Sequence, residues 1–404
     1  MSFNSIERKA LTGLSLLYAS RMLGLFMVLP ILTLYGQDLQ DASPASLGLA
    51  LGIYGLTQAF LQIPFGAASD RYGRKPLIVI GLLLFMVGSI VAAMADSVTS
   101  LIIGRALQGG GAISSVVLAL LADYTREDQR SKSMAVIGAV IGASFVVAVM
   151  LGPWIAGFGG LSGLFWFTSA LALAGLVITF WLPAVPSLQV HKERQFRPAD
   201  LWDVLTDRNV TILSLGIFLL HMTMTALFVA LPVVLVARGF ASDGLGQIYA
   251  PVMILSFIGM APLMMISERR LAQVQFLRLA AGIVIGALLL LWQVPQWAAS
   301  AVALLIFFVG FNFMEATLPS LLSRKARAQV RGTSMGVFST AQFTGAAAGG
   351  AVGGLLFSDM AFGPVVFLGV AAQAIWLLSL FAVTPVSRAN KDPEPVGGQS
   401  QADA

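Results

Sequence analysis

Gly66-Ala67-Ala68-Ser69-Asp70-Arg71-Tyr72-Gly73-Arg74-Lys75 is a charged loop set between two long apolar runs, roughly 45–68 and 76–95. Each run has about the 20 residues that a helix needs to cross the hydrocarbon core of a bilayer. Ten further runs of the same kind lie outward from it: 11–35 before the loop, then 98–122, 131–155, 162–183, 209–236, 244–266, 273–292, 297–321, 332–357 and 362–385. Composition agrees, with 57% hydrophobic and 11% charged residues over 404 positions and a mean hydropathy of +0.86. A soluble domain carries about 25% charged residues, so most of this surface must face lipid. Strands of a membrane barrel alternate in polarity every second residue, and these runs do not; helix is the predicted state. The run from Leu11 is too long for a cleaved signal peptide and no small-residue cleavage site follows it, so it reads as the first span. The expectation is an all-α membrane protein of twelve transmembrane helices.

The connectors orient the spans. Numbering loops alternately from the amino terminus places all but three of the 24 Lys and Arg residues on the side of both termini. Arg238 alone falls on the other side, and Arg21 and Arg105 fall within spans. By the positive-inside rule both termini are expected in the cytoplasm, in a bacterial inner membrane. The net charge of +5 is thus a topology signal, and no nucleic-acid partner is expected. There is no cysteine, so redox compartment is unreadable.

The chain also repeats itself. Phe26-Met27-Val28-Leu29-Pro30 returns as Phe228-Val229-Ala230-Leu231-Pro232, offset by 202. Pro64 with Ser69-Asp70-Arg71 returns as Pro262 with Ser267-Glu268-Arg269, offset by 198, and Ser133-Met134 as Ser334-Met335, offset by 201. Three matches at nearly one offset predict two pseudo-symmetric six-helix bundles meeting at a midplane cavity. The expected division is 1–183, a polar linker 184–208, 209–385, and a disordered tail 386–404.

The opening loop holds more than topology requires. Gly73 suits a turn with φ above zero, Gly66 suits a close helix approach, and Asp70 can face the positive end of a neighbouring helix. Span four carries Arg105 with Gln108 on the same face; an intramembrane arginine marks function or snorkels to the headgroups. Span five carries Gly138, Gly142, Gly152-Pro153 and Gly157, small residues for close helix packing. The other intramembrane ionisable residues are Arg21, His221 and Glu315. Counting along the helices sets Arg21 and His221 near the midplane, Glu315 nearer the basic end and Arg105 nearer the other. Glu315 is the first choice for a proton carrier, since burial raises a carboxyl toward neutral pH; a static ion pair with Arg21 is the alternative. His221 is the second choice, or a packing residue. Asn312 lies one turn before Glu315. Met22, Phe26 and Met222 belong to a soft apolar wall that suits an amphiphilic or lipophilic molecule.

The loop resembles the signature motif A of the major facilitator superfamily, and the resemblance extends over 7–386. Arg21-Met22-Leu23-Gly24, Ile53-Tyr54-Gly55-Leu56-Thr57-Gln58 and Phe311-Asn312-Phe313-Met314-Glu315 give it the flavour of the YajR-like inner-membrane transporters. That group is expected to carry a ferredoxin-like domain after span twelve, where this sequence ends in a short polar tail. The resemblance implies that Asp70, Arg71, Arg74 and the partner acid Asp123 lock the outward-facing state through the start of span eleven. It implies a proton-transfer role for Arg105 and a cavity lined by spans one, four, seven and ten, which hold Arg21, Arg105, His221 and Glu315. Gly152-Pro153 resembles the antiporter motif C, with Ala139, Ala148 and Ala156 in place of glycines. These readings point to a monomeric proton-coupled exporter, with a proton symporter or facilitator for a small nutrient as the alternative, and a non-transporting sensor after it. No nucleotide loop and no metal-ligand spacing is found, so no cofactor, metal or catalytic residue is expected.

Overall fold

The computed structural model describes residues 3–183, 198–327 and 330–383; most of the linker and the tail after 383 lie outside the described residues. Regular structure among them is helical apart from one bridge between Gln40 and Ser97. Helix α1 (Ser5–Phe26) opens on a capping box. The Asn4 side chain accepts from the Glu7 N–H and the Glu7 carboxylate accepts from the Asn4 N–H, each at 2.8 Å, which satisfies donors that a helix start leaves bare. The chain then leaves the helix before a single turn, α2 (Leu32–Tyr35). Helix α3 (Pro44–Tyr72) starts from a Ser43 cap with Pro44 at its first position. Gly73, at φ 94°, turns the chain into α4 (Arg74–Ala93).

The fourth span is broken into α5 (Val98–Gly110) and α6 (Ser114–Tyr124) around Gly111-Ala112-Ile113. Helix α7 (Glu127–Trp181) has 55 residues, about 80 Å at 1.5 Å per residue, too long for one crossing. It breaks at Gly160, φ 62° and ψ −160°, a conformation open to glycine, and therefore holds two spans. The second half comprises α8 (Pro198–Thr206), α9 (Arg208–Ala237), α10 (Leu245–Arg269), α11 (Gln273–Gln293), α12 (Trp297–Lys325), α13 (Arg331–Leu356) and α14 (Phe362–Ser379). Among the described residues nine helices, counting α5 with α6, are long and apolar enough to span by length and composition. Helix α1 falls outside that group because Glu7, Arg8, Lys9 and Arg21 dilute it, and α13 because it is built largely of Gly, Ala, Ser and Thr. With α7 counted twice and these two added, the helices are consistent with the twelve spans expected.

In the first half α1 and α4 pack on α7, and α3 and α4 on α5; in the second, α12 takes α10 and α11, while α9 takes α13 and α14. The halves meet where α13 lies on α3 and α7 lies on α10. The repeat is visible in the bonding. Ser69 and Ser267 each donate to the carbonyl three residues back, at 2.7 and 2.9 Å. Ser133 and Ser334, both fully buried, each donate to the carbonyl four back, at 3.2 and 3.0 Å. The copies differ where α1 ends at Phe26 and the turn that follows carries Pro30, whereas α9 runs unbroken through Pro232, and where the fourth span breaks while α12 is continuous.

The two ends of the bundle are packed differently. At the end away from the basic loops, a Cβ on Gly52 would stand 2.5 Å from the Ala347 carbonyl oxygen, and one on Gly350 would stand 2.5 Å from that of Gly48. One on Gly354 would lie 2.5 Å from the Pro44 oxygen. Backbone here meets backbone, and the start of α3 is sealed against the end of α13. At the basic end Arg126 pairs with the buried Glu7 carboxylate at 2.9 Å, and Lys75 donates to the Leu182 and Pro183 carbonyls at 2.8 and 2.9 Å. Both contacts lie within the first half. Asp70, at the same end, has 65% of its side chain exposed.

Candidate functional site

Each half buries its own polar cluster. In the second half His221 of α9 and Glu315 of α12 meet through Nε2 and Oε2 at 3.0 Å. Gln342 of α13 closes the triangle, its Nε2 lying 2.9 Å from Glu315 Oε1 and 2.8 Å from His221 Nε2. The Phe311 ring stands edge-on to the imidazole, centroids 5.9 Å apart. The histidine side chain is 10% exposed and the glutamate 36%, so the carboxylate is the more accessible member. His221 lies 13 residues from the start of α9, about 20 Å along the helix, near mid-depth. The sequence count that put Glu315 nearer the basic end is corrected by this contact: both groups share one level.

In the first half Arg21 of α1 donates to the Gly111 carbonyl at the break in span four, to Gln58 Oε1 at 3.1 Å and to Tyr54 Oη at 3.3 Å. A broken helix leaves carbonyls without partners, and a cation at that C-terminal end is favoured by the helix dipole. Arg105 donates to Gln108 Oε1 at 2.8 Å and to the Ala50 carbonyl at 3.3 Å, with its guanidinium 4.8 Å from the Tyr54 ring centroid. Gln108 in turn donates to Ser89 at 2.8 Å. Arg105 is 1% exposed, which overturns the snorkelling alternative. The ion pair of Arg21 with Glu315, entertained from sequence, is absent as well. Arg21 is spent on neutral acceptors in its own half.

Several expected cavity residues are placed elsewhere. Met22 is packed into the core of the first half, and Gln108 is fully buried beside Arg105. Asn312 turns to α10 and donates to Ser256 at 2.9 Å instead of sharing the face of Glu315. Phe26 and Met222 remain half-buried, with the Phe26 ring edge-on to Phe145 at 4.9 Å and Phe145 6.2 Å from Phe308 of the other half. In the signature loop Arg74 binds both Asp70 and Asp123, the latter at 3.3 Å, and Ser69 at 2.6 Å. Arg71 lies 5.4 Å over the Tyr72 ring. All of these are contacts within the first half. Gly66 permits no tight approach here, since a Cβ would meet only Ser115 Oγ at 3.6 Å. Of the span-five glycines, Gly152 is the tight one, 2.6 Å from the Met27 oxygen, beside the buried Pro153; Gly142 has ordinary contact with Phe257, Gly138 has no neighbour within 4 Å, and Gly157 is exposed.

Gln342, Tyr54 and Gln58 were not singled out as site residues from sequence. The available signal was polarity at depth: Gln342 is the lone amide in a span rich in Gly, Ala, Ser and Thr.

Two helix bundles joined along α3–α13 and α7–α10, each with ionisable groups sunk at mid-membrane depth, define a membrane transporter for small molecules. The family model of the Major Facilitator Superfamily matches residues 14–350, and the chain belongs to that family. It is 44% identical over 376 residues to the inner membrane transport protein YajR of Escherichia coli (strain K12), covering 92% of this chain and 82% of that one. It is 29% identical over 336 residues to the multidrug resistance protein MdtH of Yersinia pestis (strain Pestoides F), covering 82% of each. The crystal structure of a bacterial homologue of the human lysosomal transporter Spinster, inward-facing and occupied, superposes with a TM-score of 0.74 at 14% identity, over 94% of this chain and 95% of that one.

Proposed function

We propose that this protein exports a small amphiphilic or lipophilic molecule in exchange for protons. It works as a monomer in the bacterial inner membrane with both termini in the cytoplasm. The observation that carries this reading is the His221–Glu315 contact at mid-depth. An acid and a base within hydrogen-bond distance, the acid the more accessible, can take up and release a proton inside the membrane. The half-buried Phe26, backed by the core rings of Phe145 and Phe308, and the half-buried Met222 offer apolar surface, and the likeness to a protein named for multidrug resistance supports efflux. With the basic end in the cytoplasm, the sealed α3–α13 end is periplasmic and the conformation is inward-facing. The halves 1–183 and 209–385 then rock about the α3–α13 and α7–α10 seams. Asp70, exposed here, engages the start of α13 when the cytoplasmic side closes, while Arg74 and Asp123 hold the loop.

Proton flux in proteoliposomes tests this, with tetraphenylphosphonium and xylose as probes. Cation uptake with alkalinisation of the lumen is the expected result, and Glu315→Gln is expected to abolish the coupled proton flux. Acidification of the lumen accompanying uptake of either probe indicates symport and overturns the export reading. Full coupled transport by the Glu315→Gln protein removes Glu315 as the carrier.

A further inference from the structure

We propose that Gln342 is the residue through which the proton load of the His221–Glu315 pair is transmitted to α13. The inference rests on the proton-coupled reading above. It begins with a conflict of donors and acceptors. The Gln342 amide nitrogen carries two N–H donors and no acceptor, and it faces Glu315 Oε1 at 2.9 Å and His221 Nε2 at 2.8 Å. Both bonds form only while those two atoms present lone pairs. The third side of the triangle, His221 Nε2 to Glu315 Oε2 at 3.0 Å, then needs its proton on Oε2. With a neutral glutamic acid and a neutral imidazole, the single lone pair of Nε2 is shared between the Gln342 N–H and the Glu315 O–H, so the triangle holds together only as a strained three-centre contact.

A second proton has one place to go. On Nε2 it sets an N–H donor 2.8 Å from the amide N–H donors, a repulsive contact. The amide relieves this by turning over, so that its oxygen accepts from the imidazolium and from the carboxyl, whose proton then lies on Oε1 with Oε2 left to accept from the imidazolium. Losing the proton on Oε2 instead sets a carboxylate oxygen 3.0 Å from the imidazole lone pair, until the imidazole presents an N–H. Each proton gained or lost at the pair thus forces a rearrangement that involves the amide, and no other described side chain bridges both groups.

The backbone that carries the amide is the sealing helix. Phe343, the next residue, puts its carbonyl oxygen 2.6 Å from where a Cβ on Gly55 of α3 would lie. Three residues on, Gly345 meets the Phe218 backbone of α9, and further along Gly350 and Gly354 seal against α3. Helix α13 is wedged between backbones on both sides, so a shift at Gln342 passes along it; packed interfaces of this kind are bistable and do not deform continuously.

Other charges facing this region are occupied. Across the seam, α3 brings Tyr54, which faces Arg21 and Arg105. On α11, Arg278 donates to the Leu380 carbonyl and lies over the Phe381 ring. Glu268 and Arg269 of α10, Arg324 and Lys325 of α12, Asp203 of α8 and Arg208 of α9 belong to the basic end, and α14 contributes no titratable side chain. Tyr35 of α2 and Tyr249 of α10 lie toward the sealed end.

Because the chain has no cysteine, spin labels can be placed at will and the test needs no substrate. One pair, Gln37→Cys with Ser358→Cys, reports the sealed end; another, Lys132→Cys with Arg270→Cys, reports the basic end. Distance distributions are measured by electron–electron double resonance in lipid nanodiscs from pH 5 to pH 9. In the parent the ratio of the two conformations is expected to change with pH by about 5- to 150-fold, the usual range of coupling between sites. Gln342→Met, which keeps the length and removes the amide, is expected to populate both conformations with a pH response below about 2-fold, well under that coupling range. Gln342→Glu, which can still accept and donate, is expected to retain a response with a displaced midpoint. Glu315→Gln is the control for the underlying reading. If Glu315→Gln flattens the response and Gln342→Met leaves it intact, the role of Gln342 is overturned and the proton site stands. If Glu315→Gln retains the response, or the parent shows none, the proton-coupled reading itself fails. Should Gln342→Met not assemble, Gln342→Glu decides: a response with an unmoved midpoint overturns the proposal.

Discussion

Substituting Gly350 by alanine should open the sealed end of the bundle. A Cβ built on Gly350 stands 2.5 Å from the Gly48 carbonyl oxygen, 2.7 Å from the Gly52 nitrogen and 2.9 Å from the Gly52 Cα. Ordinary contact begins at 3.4 Å, so the deficit is about an ångström, and all three atoms are backbone that no rotamer change can move. Overpacking of this kind costs about 1–3 kcal/mol when the structure must shift. Here the shift has a cheap route, because α3 and α13 belong to different halves and part when the sealed end opens. The cost therefore falls on one conformation and not on the fold. At 1.4 kcal/mol per decade, it displaces the equilibrium by about 5- to 150-fold toward the state open at that end. The assay is the labelling rate of single cysteines buried at the seam, such as Thr33→Cys, whose native hydroxyl meets the Phe228 carbonyl of the other half, with a membrane-impermeant maleimide. Labelling should rise by about that factor in Gly350→Ala while thermal stability in detergent stays within about 1 kcal/mol of the parent. A protein that stays sealed and labels at the parent rate would refute the view that close glycine packing holds this end shut. A protein that unfolds without opening would show that the seam belongs to the fold.

Three further outcomes follow from single contacts. Burial pushes the Glu7 carboxyl up, but the bonds it accepts from Arg126 and Asn4 outweigh this and hold it below its ordinary value of 4.5. A carboxyl lowered on folding stabilises fully above its ordinary value and loses that contribution as pH falls from there through the folded value. Protection of the amides at the start of α1, corrected for the intrinsic exchange rate at each pH, should therefore fall below about pH 4.5, and Glu7→Gln should remove that dependence. Gly73→Ala places a Cβ at φ 94°, a strain of about 1–3 kcal/mol, and the loop from Ser69 to Lys75 should become more sensitive to protease by a corresponding factor. Arg105→Lys keeps the charge but cannot serve Gln108, the Ala50 carbonyl and the Tyr54 ring together. It should lower the melting temperature, whereas Arg105→Met, which removes a buried charge with no carboxylate partner among the described residues, should lower it less.

The fold was legible because its signals are collective. Hydropathy over twenty residues and the sidedness of the basic residues each average over many positions, and so survive errors at any one. The repeat offset was legible for the same reason, down to the paired serines at 69 and 267. The site is a matter of single side chains, and there the spacing rules misled. Asn312 sits three residues before Glu315 and was placed on its face, yet it turns to Ser256 on α10. The helical period allows neighbours at that spacing to diverge by about 60°, enough to address different helices. Arg21 was assigned to the cavity because it lies on span one, which the family resemblance makes a cavity-lining helix. Its partner proved to be the Gly111 carbonyl, freed by a helix break that hydropathy does not register. Gln342 escaped notice because no intramembrane charge or family motif within its own span pointed to it, as they did to Gln108 and Asn312.

What remains is the division of labour between two halves that descend from one pattern. The first half holds its charges fixed: Arg21 and Arg105 are almost wholly buried and bound to carbonyls and amides. The second half sets an acid and a base against each other, with the carboxylate the more accessible of the two. On the proton-coupled reading proposed above, a seam in which α13 touches both halves makes the direction of control asymmetric. Protonation would then act first on α9, α12 and α13, and the first half would be carried by the α3–α13 contact. Substitutions at His221, Glu315 or Gln342 should then alter the pH dependence of the motion. Substitutions at Arg21 or Arg105 should alter the stability of the first half and the amplitude of the motion with its pH midpoint unchanged. An Arg21→Met protein whose midpoint moved as far as that of Gln342→Glu would show that the two polar clusters form one titrating system.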